Sequence, residues 1–136
     1  MRVNIEVLQP SERVLSERKL ARVRWIYDSR LYQPKIVVTR FENRYAIVDG
    51  NHSTYVAHER GIPEIEAEVE QRQMQNVPSI VTAGITRISD LSDKILTHDE
   101  WRRIFTFCNN FEDELSDDIF FRKHPELEKY CSYRQR

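Results

Sequence analysis

The stretch Asp49-Gly50-Asn51-His52-Ser53-Thr54-Tyr55-Val56-Ala57 decides how this chain is read. It follows the apolar run Tyr45-Ala46-Ile47-Val48 and precedes a segment with helical spacing. The chain has only three glycines, and one stands here beside an Asp, an Asn and a His. The order strand, polar corner, helix puts these residues at a helix N-terminus, where the first amides lack internal partners. Those amides carry about half a positive charge between them, and a phosphate suits such a place. Gly50 lets a ligand come close to the backbone. Asn51 tolerates unusual dihedrals, His52 can donate to a phosphoryl oxygen, and Ser53 and Thr54 offer hydroxyls. Asp49 can hold a magnesium ion or take a proton. An ordinary turn uses the same residues: Asp-Gly-Asn is good turn chemistry, and Asn51 or Ser53 can simply cap the helix. On spacing alone the turn is the simpler reading.

Working outward, Val3, Ile5 and Val7 alternate with polar residues and predict a strand over Val3–Leu8. Ser16 is placed as an N-cap, with Glu17 in the first turn of a helix over Glu17–Ser29. Gln33-Pro34 closes that region. Lys35–Arg40 and Tyr45–Val48 predict a hairpin about Glu42-Asn43. A short helix follows over Ser53–Arg60, stopped by Gly61. In Glu64–Glu70 the residues Ile65, Ala67 and Val69 alternate with four glutamates, which predicts a strand with one buried and one strongly acidic face. Residues 71–81 read as a linker, and Ile80–Ile95 can hold a short strand plus a helical turn. Thr97-His98-Asp99-Glu100 is a capping box, followed by an apolar stripe of Trp101, Ile104, Phe105 and Cys108. Ser116 can cap a helix over Asp117–Lys123, and Pro125 can open a last one.

At 136 residues the chain fits one domain's length, and 40% hydrophobic content supports a modest core. Apolar runs of three or four residues, such as Ile36-Val37-Val38, span no bilayer, and Met1–Glu6 lacks a signal peptide's apolar stretch. A cytoplasmic protein with Cys108 and Cys131 reduced is the expectation. Residues 1–48 carry ten Lys/Arg against five Asp/Glu, and residues 49–136 carry eleven against seventeen. A basic first third attracts phosphates on a nucleotide or on DNA, or is a solvated helix face. The acidic remainder argues against wrapping a long duplex. His52, His58, His98, His124 and the two cysteines lack the spacing of a zinc site. Trp101, Phe105, Phe107, Phe111, Phe120 and Phe121 read as core or as a face for a protein partner or a second copy.

Asp49-Gly50-Asn51-His52, then a helix, Gly61 and a strand near Pro63, resembles the core motif of the ParB/sulfiredoxin superfamily. Upstream, Leu8-Gln9-Pro10-Ser11-Glu12, a helix, and Gln33-Pro34-Lys35-Ile36-Val37-Val38 follow the family's order. The resemblance covers about residues 3–70. It implies an α+β fold, a small mixed sheet with short helices over residues 1–75; the residue pattern beyond it adds an α-helical C-terminal segment over 76–136, expected to pack on that core. It also implies a bound nucleotide (ATP, ADP or CTP) with magnesium, its phosphates on Gly50, Asn51, His52, Ser53 and Thr54. Asp49, Glu12 and His52 would carry phosphotransfer or hydrolysis, with Asp49 on the metal. The family's Arg after the His is Ser53 here. That exchanges a two-pronged charged contact for one neutral hydrogen bond, at about 1.5–3 kcal/mol, unless Arg22, Arg44 or Arg72 supplies the charge. The sulfinic-acid reductase branch of the family is excluded, because Asn51 stands where its nucleophilic cysteine is needed. Two alternatives stay open: a non-catalytic module that binds DNA through the basic N-terminal part or a protein through the C-terminal helices, and a metal-dependent nuclease.

Overall fold

A computed structural model describes residues 1–30 and 33–104, together with Arg122, Lys123 and Pro125. The expected helices over 117–123 and after Pro125 lie outside the described residues, except that Arg122 and Lys123 are helical. So do Phe105 and Cys108. Within the described residues the protein is a mixed α/β structure with a small mixed sheet and four short helices.

The sheet contains β1 (Arg2–Asn4), β3 (Lys35–Phe41), β4 (Arg44–Asp49) and β5 (Glu64–Val69), in the order β1-β5-β3-β4. β3 and β4 form the expected antiparallel hairpin, with Val38 opposite Ile47 and Phe41 opposite Arg44. Glu42 takes the turn with φ +55°. β5 lies parallel to β3 and antiparallel to β1. A second ribbon pairs β2 (Leu15–Ser16) with β6 (Ile95–Leu96) in parallel. The outer edge of β4 is partly covered: Gln9 N–H donates to the Tyr45 carbonyl at 2.9 Å, and Ile47 N–H donates to the Gln9 carbonyl at 2.9 Å.

The helices are α1 (Glu17–Ser29), α2 (Asn51–Glu59), α3 (Val77–Thr82) and α4 (His98–Ile104). α1 matches the predicted span, and the Ser16 hydroxyl accepts from the Lys19 amide at 3.3 Å. α1 and α2 pack on each other and are pinned by two forked pairs. Arg24 donates to both oxygens of Glu59 at 3.0 and 2.8 Å, and Arg60 grips both oxygens of Asp28. The capping box forms as expected, with Glu100 N–H donating to Thr97 Oγ1 at 3.2 Å and Thr97 N–H to Glu100 Oε1 at 3.1 Å.

Four expectations are corrected. The strand over Val3–Leu8 stops at Asn4, because Ile5–Val7 is a 3-10 turn. The Asn4 carboxamide closes that turn by accepting from the Glu6 amide, while Ile5 N–H donates to the Pro63 carbonyl at 3.0 Å. Residues 71–81 are not all linker: α3 starts at Val77, with Pro78 in its first turn, where a missing N–H costs nothing. Val69 is 46% exposed and not part of the buried face of β5. Ile104 is likewise exposed, so the stripe on α4 turns only Trp101 inward among its described residues.

One apolar core gathers the elements. Ile5, Leu8, Leu15, Leu20, Ile36 and Ile47 are fully buried with Ile80, Ile88 and Leu91. Residues from beyond position 75 therefore help fill the space under the sheet. Among the described residues no helix is long and apolar enough to cross a membrane.

Candidate functional site

The polar corner sits where β4 ends and α2 begins. Gly50 is the N-cap of α2, with φ +118°, a conformation that favours glycine. Its lack of a side chain has a second reason: a Cβ there would stand 2.3 Å from Ile36 Cγ2. The glycine is thus required by β3 beneath it, whatever sits above. With Gly50 as the cap, α2 starts at Asn51, two residues earlier than expected, and no side chain caps its first turn. Thr54 makes the first internal bonds, its N–H and its hydroxyl both donating to the Gly50 carbonyl at 2.9 and 2.8 Å.

Asn51 is buried, and its carboxamide clasps one residue. Its Oδ1 accepts from the Ser11 amide at 3.0 Å, and its Nδ2 donates to Ser11 Oγ at 2.9 Å. From the other side Asn76 Nδ2 donates to the Ser11 carbonyl at 2.8 Å. The loop before α1 is thereby held against α2, and Glu12, the next residue, is delivered to His52. Glu12 Oε2 lies 3.5 Å from His52 Nδ1, with the two side chains 19% and 12% exposed. The other ring nitrogen, Nε2, accepts from the Ser16 amide at 2.9 Å. An accepting Nε2 places the proton on Nδ1, which faces Glu12.

Burial raises the Glu12 carboxyl to about 8; the Lys19 charge pulls it down, and Asp49 pushes it up. A carboxyl with that value is protonated at neutral pH. Asp49 is exposed at the end of β4. Glu12, from the loop before α1, and His52, from a helix start, are thus brought together, and Asp49, at a strand end, lies near enough for its charge to act on Glu12. Ser53 is half-buried, and its carbonyl accepts from the Tyr27 hydroxyl at 3.3 Å. The Tyr27 phenol, itself partly buried, is pushed up to about 12 by desolvation.

Four further residues complete the corner. The Ser16 hydroxyl is 2.9 Å from His98 Nδ1. His98 stacks on Trp101, with ring centroids 5.7 Å apart and planes 19° from parallel. His52 meets the same indole edge-on at 6.1 Å, and Lys19 Nζ lies 5.1 Å from its centroid. The capping pattern singles out Ser16, and the apolar spacing singles out Trp101. Nothing local ties either to His52, because the contacts span 36 residues from Ser16 to His52 and 82 from Ser16 to His98.

Two of the arginines expected as a source of positive charge beside Ser53 are placed elsewhere. Arg44 donates to the Thr86 carbonyl at 2.6 Å and to Gln9 Oε1. Arg72 pairs with Glu70 at 3.2 Å. Among the described residues, no group of three or more His, Cys, Asp or Glu side chains is arranged to hold a metal ion. Magnesium commonly needs only one or two protein carboxylates when substrate phosphates supply the rest, and Asp49 fits that lighter demand.

No family model matches the chain, and no curated protein matches it. Among solved structures it is similar to protein Atu1540 from Agrobacterium tumefaciens, at 15% identity and a TM-score of 0.47. The match covers 67% of this chain and spans 60% of that one.

Proposed function

We propose that this is a ParB/sulfiredoxin-like domain that binds a nucleotide at the corner and acts on its phosphates. The observation carrying this is the meeting of Glu12, His52 and Asp49 beside a helix start without a side-chain cap. Two carboxylates in unlike settings, one largely desolvated and one exposed, suit a division into acid and base. Protonated Glu12 would give a proton to a leaving phosphoryl oxygen. Asp49 would take one from a water or an acceptor hydroxyl. His52 would act by holding Glu12 in place, since both its ring nitrogens face protein atoms. The amides of Asn51–Ser53 would face the phosphates, with the Ser53 hydroxyl beside them; Thr54, expected there too, is buried with its hydroxyl donating to the Gly50 carbonyl. Magnesium on Asp49 would offset phosphate charge.

Calorimetric titration with ATP, ADP and CTP, with and without magnesium, tests the binding. A folded sample giving no heat with any of them removes the proposal. Product analysis of the Glu12→Gln protein then tests the chemistry, with binding expected to persist and turnover to be lost.

One observation favours a second reading, a non-catalytic module. The side chains of Asn51 and His52 are both engaged within the protein, as in a corner that braces the fold. Nucleotide binding without turnover in the parent protein would select it. A gel shift that weakens steeply with salt would identify DNA as the partner.

A further inference from the structure

The contact between Asn51 and Ser11 has a fixed polarity. Asn51 Oδ1 accepts from the Ser11 amide at 3.0 Å. A backbone N–H only donates, so this contact settles which end of the carboxamide is the oxygen. The other end is then the NH2 group, and it lies 2.9 Å from Ser11 Oγ. A carboxamide NH2 only donates, so Ser11 Oγ is the acceptor and its own proton points away from Asn51. That proton has no acceptor among the described residues, whereas the Ser11 amide and carbonyl are met by Asn51 and Asn76. Ser11 is 6% exposed, and a buried donor without an acceptor is costly to keep.

The hydroxyl stands against Asn51, the first residue of the nine-residue α2, whose start has no side-chain cap. The neighbouring amides of that start are donors as well. A ligand answering such a set brings acceptors only, as a phosphoryl group does. Glu12 follows Ser11 in the chain, so the donor and the acid come from one loop.

We propose, resting on the nucleotide reading above, that Ser11 is a ligand-binding residue whose hydroxyl donates to a phosphoryl oxygen. Asn51 holds the hydroxyl with its proton turned outward before the ligand arrives, so binding requires no reorientation there.

Mg·ATP and inorganic tripolyphosphate, each titrated by calorimetry, test this. Ser11→Ala is expected to bind both about ten- to a hundredfold more weakly, and Ser11→Thr, which keeps a hydroxyl, to recover most of the loss. Asn76→Ala releases the Ser11 carbonyl and leaves the hydroxyl in place, so it is expected to bind both like the parent. If Asn76→Ala loses as much as Ser11→Ala, the placement of the loop matters and its hydroxyl does not, which overturns the proposal. If Ser11→Ala binds like the parent, or loses only Mg·ATP, donation to phosphate is wrong while the site stands. If Ser11→Ala does not fold, proton NMR of the parent decides. The Ser11 hydroxyl proton is expected to exchange slowly once tripolyphosphate is bound, and exchange as fast as in the free protein overturns the proposal. No binding by the parent removes the site and the role of Ser11 together.

Discussion

The outer face of β5 and the corner at Glu12 both hold carboxylates, and the protein treats them in opposite ways. On β5 and at the residue just after it, each glutamate has its own cation. Glu64 is 3.8 Å from Arg2, Glu66 is 2.8 Å from the Met1 ammonium, Glu68 is 3.6 Å from Lys35, and Glu70 is 3.2 Å from Arg72. The acidic face expected from the sequence is therefore neutralised pair by pair. Glu66 is held below the usual carboxylate range, chiefly by the hydrogen bond from the ammonium. At the corner Glu12 is largely withdrawn from water, and desolvation drives it the other way, to about 8. One region spends carboxylates on the surface, where such pairs contribute little. The other keeps one largely out of water, where desolvation of the charged form costs stability.

The contrast breaks first, and hardest, at Gly50. Gly50→Ala adds a Cβ against Ile36 at a backbone angle alanine dislikes. Strain of roughly 1–2 kcal/mol for the left-handed backbone and about 1–3 kcal/mol for overpacking are expected to add. A urea melt should show the midpoint collapse, and an unchanged midpoint would show that β3 yields easily under the corner.

The next test is the slope of stability against pH. A folded-state carboxyl near 8 binds its proton while the unfolded chain, near 4.5, releases it. Between those values the unfolded state holds fewer protons, so stability falls as pH rises, and it levels off above about 8. Glu66 has the opposite sign, since its lowered folded value gives stability that is lost as pH falls toward the acid range. Glu12→Gln is expected to abolish the loss between pH 5 and 8 and to leave the acid limb intact, so that the variant is the more stable protein at pH 8. Equal slopes for parent and variant would contradict a buried, protonated Glu12.

Asn51→Ala should come third. It strands the buried Ser11 amide and costs about 2 kcal/mol. It should also raise hydrogen exchange at Ser11 and Glu12 more than elsewhere; uniform exchange would deny that Asn51 holds that loop. Smallest of all is Glu68→Gln, which cuts one exposed pair. No measurable shift in the denaturant midpoint is expected at physiological salt.

Much of the frame was legible in the residues themselves. Ser16 announces α1 because a hydroxyl before an apolar period is a local signal, and the hairpin and the alternation in β5 are local too. Ile5–Val7 misled because its alternation is that of a strand, while the Pro63 carbonyl and the Asn4 side chain bend it into a turn. α3 was hidden by Pro78, which reads as a breaker and here occupies a first turn. At the corner, the motif pointed to Asp49 and His52, and the family order pointed to Glu12. Lys19, His98 and Trp101 were not legible as site residues, because their meeting depends on tertiary contacts across the fold.

The two-residue ribbon of Leu15–Ser16 with Ile95–Leu96 has a consequence for how the molecule comes into being. A ribosome releases the N-terminal strand of that ribbon long before the C-terminal one. At ~5–20 residues per second, the offset of 80 positions between paired residues takes ~4–16 s to make. Until then Ser16 has neither its strand partner nor His98, and the nascent chain carries an unfinished corner. The surroundings of the proposed site are thus among the last places on the molecule to set, so a chain stalled or cut before Leu96 would emerge with its hairpin but with Ser16 lacking both its strand partner and His98.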